Sequence, residues 1–322
     1  MGAILTDKIV GPAAWVGADF DNDTSWIWHL TPENIADLDD ALDSAQKAGL
    51  TFPDIKVSDF ALPSFAGLFG KLADELENGR GFVLLRGLPV ERYSDEQIKL
   101  VYFALGLHLG TPVAQNPNGD VLGTVMNVAD PKDKNARVYQ TNSYLPYHTD
   151  PSDVVGLLCL RKAKAGGLSS LVSAASIYNE ILSNHPEYLG VFYTHFYYAH
   201  LALDKPGVTS LFSYHDGKLS CRYLRQYIEL GHEVMESPLS AVERDALDMF
   251  DAIMHREDLK IDMMLEPGDV QFANNYAVLH SRTDFEDHPE ESDRRKLLRL
   301  WLKMPNARAL ADGFPGRNGF EL

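Results

Sequence analysis

An imidazole and a carboxylate stand one residue apart in Tyr147-His148-Thr149-Asp150. In extended backbone, residues i and i+2 project to the same face, so His148 and Asp150 can reach one metal ion while Thr149 points away. Two ligands make a weak site, and a third is offered by Ala277-Val278-Leu279-His280-Ser281-Arg282. Two imidazoles and a carboxylate form a facial set around Fe(II) that leaves three coordination positions open for reacting molecules. The plain alternative for His148 and Asp150 is a hydrogen-bonded pair in a turn, so the assignment depends on what surrounds them.

The elements that must position these groups are legible from periodicity and turn chemistry. Thr31-Pro32-Glu33 starts a helix, with Thr as cap and Pro at the first helical position, and Gly49 ends it. Ile35, Leu38, Leu42 and Ala45 keep one face of it. A second helix from about Ser64 carries Phe65, Leu68, Leu72 and Leu76 and stops at Asn78-Gly79. The apolar run 81–87, set between glycines, suits a buried strand. Ser94 and Gln97 make a capping box for a third helix whose inner face is Ile98, Val101, Tyr102 and Leu105, with His108 near its end as a structural histidine.

From about Val121 the pattern changes to short β-like segments broken by Gly, Pro, Asn and Asp: 122–128, 138–141, 154–161, 170–173, 192–201, 211–214, 219–222, 270–273 and 297–303. The turn His215-Asp216-Gly217-Lys218 suits a tight hairpin. Helices at 174–182 and 240–255 interrupt the series. The pattern predicts a mainly β sandwich or barrel with flanking helices. We expect one domain over 1–322: a helical part to about 80, a β core over about 81–305 and a tail over 306–322.

Composition excludes some partners. A formal net charge of −17, with no run of Lys or Arg, argues against nucleic acid. The N-terminus lacks a charged segment followed by a long apolar one, and no stretch reaches transmembrane length, so no membrane association is expected. Cys159 and Cys221 read as buried free thiols, which suits a reducing, cytoplasmic location.

The second half of the chemical signal is Pro267-Gly268-Asp269-Val270-Gln271-Phe272-Ala273-Asn274-Asn275, a turn delivering a strand, then a loop carrying His280. In Arg294-Arg295-Lys296-Leu297-Leu298-Arg299-Leu300-Trp301, Arg295 and Arg299 share one face of a strand, and Arg294 takes the other. Both would look into the interior that holds the metal, which is costly for a cation unless an anion meets it.

These motifs, in this order, resemble the TauD/TfdA (taurine dioxygenase and 2,4-D dioxygenase) family of Fe(II)/2-oxoglutarate-dependent oxygenases over roughly Gly79 to Pro305. The resemblance implies a double-stranded β-helix, that is, a jelly-roll core. It implies His148, Asp150 and His280 as iron ligands and Arg295 as the bidentate partner of the distal carboxylate of 2-oxoglutarate. Ser169, in Ala165-Gly166-Gly167-Leu168-Ser169, falls on the assisting hydroxyl, which is Thr in some members. Arg299 falls where several members contact an acidic substrate group. The implied reaction consumes O2, turns 2-oxoglutarate into succinate and CO2, and hydroxylates, or in variants desaturates or cyclises, a small molecule. Asp150 fills the ligand position that halogenating relatives leave to chloride. The resemblance also allows a homodimer or tetramer.

The substrate is expected to be small, polar and carboxylate-bearing, such as an amino acid. Gln140, Asn142 and Tyr144 precede the metal motif and could line an entrance, and Arg222 or Arg225 could meet a carboxylate. Two rivals remain: a cupin-like metal enzyme needing no cosubstrate, and a non-catalytic jelly roll that binds or senses. Neither gives a reason for an arginine facing the metal cavity.

Overall fold

A computed structural model describes residues 4–128, 140–199 and 205–319. Its large sheet runs β1 (Ile27–His29), β2 (Phe82–Arg86), β14 (Val270–Asn274), β6 (Val154–Arg161), β17 (Lys296–Lys303) and β3 (Thr111–Pro112), with β4 (Leu122–Met126) also on β17. The small sheet runs β13 (Lys260–Met263), β8 (Ser169–Ser173), β15 (Val278–Arg282) and β5 (Leu145–His148). The two sheets form the jelly roll, with an interior between them.

Side-chain alternation explains why both faces of the large sheet are buried. On β6, Val154 and Leu158 point outward, and on β17 Leu298, Leu300 and Leu302 do the same. This face is covered by α1 (Pro32–Lys47), α2 (Ala66–Asn78) and α3 (Asp95–Leu109). The inward residues Val155, Cys159, Leu297 and Trp301 meet Leu171, Ile261 and Met263 of the small sheet. A strand covered on both faces reads as a continuous apolar run, which is what Val154–Arg161 shows. The caps expected on α1 and α3 are present, through Thr31 with Asn34 and Ser94 with Gln97.

The outer face of the small sheet carries Tyr147, Val172 and Leu279 against α4 (Ala174–Asn184), α5 (Pro186–Leu189), α6 (Arg225–Val234), α7 (Ala241–Met254) and the hairpin β11 (Phe212–His215) with β12 (Lys218–Cys221). Two further pairs, β9 (Phe196–Tyr198) with β10 (Gly207–Thr209) and β7 (Ala165–Gly166) with β16 (Phe285–Glu286), form separate two-stranded sheets. Among the described residues no helix is long and apolar enough to cross a membrane.

Several expectations need correction. His280 lies inside strand β15, paired on both sides, and not in a loop. The segment expected as a strand over 192–201 is a 3-10 turn, Gly190–Tyr193, followed by β9, and 200–201 lie outside the described residues. Of the strand expected over 138–141, 138–139 lie outside the described residues, and Gln140 and Thr141 are not strand. Strand β5 escaped notice because it is four residues long and contains Pro146, and α6 because it lacks a side-chain cap and carries Gly231.

The turn before β14 is sterically exacting. Gly268 has φ +88, and a β-carbon there would lie 2.1 Å from the Leu88 carbonyl oxygen. Beside it the buried Asp269 carboxylate accepts two hydrogen bonds from Arg86, both at 2.8 Å.

Candidate active site

His280 on β15 and His148 at the end of β5 are registered partners across the ladder. Their rings come within 4.2 Å, centroid to centroid. Asp150 follows the strand, and its backbone is held at both ends: its N–H donates to Asn275 Oδ1 at 3.0 Å, and its carbonyl accepts from Arg222 Nη1 at 2.5 Å. Asn275 also donates to Ser152 Oγ at 3.0 Å, which ties the loop to the end of β14. Trp301 of β17 reaches across the interior, and its indole N–H donates to Asp150 Oδ2 at 3.0 Å.

One ligand atom from each of His148, Asp150 and His280 lies within 4.8 Å of the others, and all three residues are buried. Nε2 of His280 is 3.5 Å, and Nε2 of His148 3.8 Å, from the Asp150 carboxylate. Nδ1 of His148 donates to the Pro146 carbonyl at 2.8 Å, so its proton sits there and the Nε2 lone pair is left for a metal.

Burial first, and then His280, pushes the His148 imidazole down to about 4, with Asp150 pulling the other way. Burial would raise the Asp150 carboxyl, but His280, Arg299 and His148 outweigh it and hold it far below the usual carboxylate range. A neutral imidazole and a deprotonated carboxylate are the forms that bind metal. With no thiolate among them, the two nitrogens and one oxygen fit Fe(II).

In the metal-free protein His148 should therefore stay neutral down to about pH 5, read from the chemical shift of its ring proton. The unfolded chain takes up this proton near 6.5 and the folded one only near 4, so stability falls as pH drops through that window. A midpoint near 6.5 in the folded protein would show the site to be open to water.

The interior beside these groups is a cavity lined by Ser169, Arg282, Arg295 and Arg299 and walled by Val125, Leu157 and Leu297. Arg295 is buried, stacks on Phe285 at 5.3 Å, and its Nη1 has no hydrogen-bond partner. Burial pushes its guanidinium down to about 10, so it remains a cation at neutral pH. Ser169 Oγ donates to Gln271 Oε1 at 2.5 Å. Arg299 donates from Nε to Gln115 Oε1 at 2.7 Å and stacks on Trp301 at 4.7 Å.

The other sequence candidates are not among the residues lining this cavity. The guanidinium of Arg225, offered above as a carboxylate partner, is taken by Glu229, Asp248 and Asp251 at 2.6, 2.8 and 3.1 Å. Asn142 donates to the Phe285 carbonyl at 3.3 Å and accepts from the Phe285 N–H at 3.1 Å, which fastens β16. The Gln140 carbonyl accepts from Val128 N–H. Tyr144 faces α7, where its hydroxyl meets His255 Nε2 at 2.8 Å. Arg222 supports Asp150 from behind. His108 bonds the Phe60 carbonyl at 2.7 Å and stacks on Phe69, a structural histidine.

Sequence reading missed Arg282, Gln271 and Trp301. Arg282 is two residues beyond His280, so in a strand it must share that face, and placing His280 in a loop hid the inference. Gln271 stood out as a polar residue in the apolar run Val270-Gln271-Phe272-Ala273. No signal in the sequence marks Trp301, because its acceptor lies on a distant strand end.

The family model described as "Taurine catabolism dioxygenase TauD, TfdA family" matches residues 45–301. FR-33289 synthase of Streptomyces rubellomurinus is 34% identical over an alignment of 318 positions that covers 96% of this chain and 94% of that protein. The taurine hydroxylase-like protein SAT17 of Stachybotrys chartarum is 28% identical over 92% of this chain and 80% of its own length. Among solved structures, asparagine oxygenase in complex with Fe(II), 2S,3S-3-hydroxyasparagine and succinate superposes with a TM-score of 0.69 at 17% identity, covering 86% of this chain and 93% of that one. The non-heme iron oxygenase OrfP in complex with Fe and alpha-ketoglutaric acid gives a TM-score of 0.63 at 16% identity, with the same coverage. At these identities the structural likeness establishes the shared fold.

Proposed function

The chain belongs to the taurine catabolism dioxygenase TauD, TfdA family and is an Fe(II)- and 2-oxoglutarate-dependent dioxygenase; on that premise we propose that His148, Asp150 and His280 hold its iron, Arg295 and Ser169 anchor 2-oxoglutarate, and a small polar acid is hydroxylated. The observation that carries this reading is the convergence of three buried ligand atoms beside an arginine whose Nη1 has no partner. A cupin-like metal enzyme without a cosubstrate gives no role to that guanidinium.

Bound iron supplies the O2 chemistry that turns 2-oxoglutarate into succinate and CO2 and oxidises the substrate. This chain's residues do the rest. His148 is held in the tautomer that presents Nε2, and Trp301 and Asn275 keep Asp150 aimed inward. Arg295 takes the distal carboxylate in a charge-assisted pair, which fixes the direction in which the 2-oxo acid head points. Val125, Leu157 and Leu297 exclude water from the reacting atoms.

Arg299 lies close enough to Asp150 to depress its carboxyl, and it is the residue we assign to an acidic group of the substrate. Solved relatives that hold 3-hydroxyasparagine or (3S)-hydroxy-L-Arg support an amino acid as substrate class. The buried free thiols Cys159 and Cys221 support a reducing, cytoplasmic setting.

The test begins with anaerobic Fe(II) protein and 2-oxoglutarate, where a visible charge-transfer band should develop. Amino acids and other small carboxylates are then screened for succinate release together with a product heavier by one oxygen atom. Turnover that does not depend on 2-oxoglutarate would replace this reading with the cupin-like one. Stimulation by neutral compounds alone would remove the acidic substrate.

A further inference from the structure

Few buried side-chain polar atoms among the described residues lack a partner, and three of them are N–H donors gathered around Ser169: Gln271 Nε2, Arg282 Nη1 and Arg295 Nη1. Buried donors left unpaired are costly, and a native structure keeps them where an absent acceptor belongs. Arg282 is the cross-strand partner of Ser169, on β15 and β8. Gln271 on β14 accepts the Ser169 hydroxyl proton at 2.5 Å. Arg282 and Arg295 both stack on Phe285, at 4.7 and 5.3 Å. At Gly167, with φ +74, a β-carbon would lie 3.2 Å from Arg295 Nε, so glycine keeps the wall clear for the guanidinium.

Two cations sharing one aromatic ring in a dry interior repel each other unless an anion joins them. Asp287 is near, but its hydrogen bonds go to the Arg295 backbone N–H at 2.9 Å and to Asn127 Nδ2 at 3.2 Å, not to either guanidinium. A carboxylate has two oxygens and about four acceptor sites, which accommodates two guanidinium groups and one hydroxyl. We propose that Arg282 completes, with Arg295 and Ser169, a three-donor cradle for the distal carboxylate of the cosubstrate, so that Arg282 is a second anchoring guanidinium and Gln271, behind Ser169, sets the direction of the serine proton. The inference rests on the assignment of Arg295 made above.

The role of Gln271 follows from proton counting. With Oε1 accepting from Ser169, the serine proton points away from the cavity. Half a turn of the amide places Nε2–H on Ser169 Oγ and releases the serine proton to an incoming carboxylate. Arg282 adds a further connection, because its Nη2 also donates to the carbonyls of Thr141 (3.0 Å) and Ser143. An anion on Nη1 therefore holds the same side chain that fastens the segment leading into the metal motif.

The test is calorimetric titration of the Mn(II)-loaded protein with 2-oxoglutarate and, separately, with 2-oxobutyrate, which keeps the 2-oxo acid head and lacks the distal carboxylate. Arg282→Met, Arg282→Lys, Gln271→Leu and Arg295→Met are compared with wild type. Arg282→Met should weaken 2-oxoglutarate roughly tenfold or more, as for a hydrogen bond to a charged group, and Gln271→Leu, which acts on the ligand only through Ser169, should weaken it by less. Affinity for 2-oxobutyrate should stay within about twofold, since the truncated ligand no longer meets these residues. Arg282→Lys should recover part of the loss, and if Arg282→Met does not fold, the Lys and Gln271→Leu variants decide the question.

Wild-type 2-oxoglutarate affinity in the Arg282 and Gln271 variants, with Arg295→Met weakened, would overturn the cradle and leave the proposed function standing. Equal loss of both ligands would also overturn it and reduce Arg282 to a structural clasp. A silent Arg295→Met would instead remove the anchor on which both readings rest.

Discussion

Asp150→Ala should lower turnover to roughly a thousandth of wild type or less, because it removes the one anionic member of the proposed metal set. The two imidazoles would remain facing each other without the carboxylate that balances them, and the Trp301 indole N–H would lose its acceptor. Iron affinity should fall with turnover, and the two are separable by anaerobic calorimetry and by succinate formation. Wild-type iron affinity in this variant would mean that the three residues do not form a metal site.

Gly268→Ala should destabilise the fold by roughly 2–4 kcal/mol, combining a left-handed backbone that L side chains resist with overpacking of the chain. The clash is with backbone, the Leu88 carbonyl at 2.1 Å, so no side chain can swing aside to relieve it. Because the turn sets the start of β14, the strand that carries Gln271, weaker 2-oxoglutarate binding should accompany the lower denaturation midpoint. An unchanged midpoint would show that the turn relaxes without cost.

The sequence by itself determined the motifs that carry chemistry and their order: His148 with Asp150, the Gly-Gly before Ser169, then His280, then Arg295 and Arg299. It also determined the capped helices α1 and α3 and the doubly buried strands, because caps and apolar runs are local signals that short stretches of chain contain in full.

Only the tertiary structure decided which charged and polar side chains share an environment. Arg225 and Arg282 look alike in a sequence, yet one is neutralised by acids from α6 and α7 and the other opens on the cavity. Trp301 gained its partner through packing across the interior, 151 residues from Asp150. Periodicity reports the face a side chain takes, whereas the partner across that face is set by strand order and register, which arise from long-range pairing.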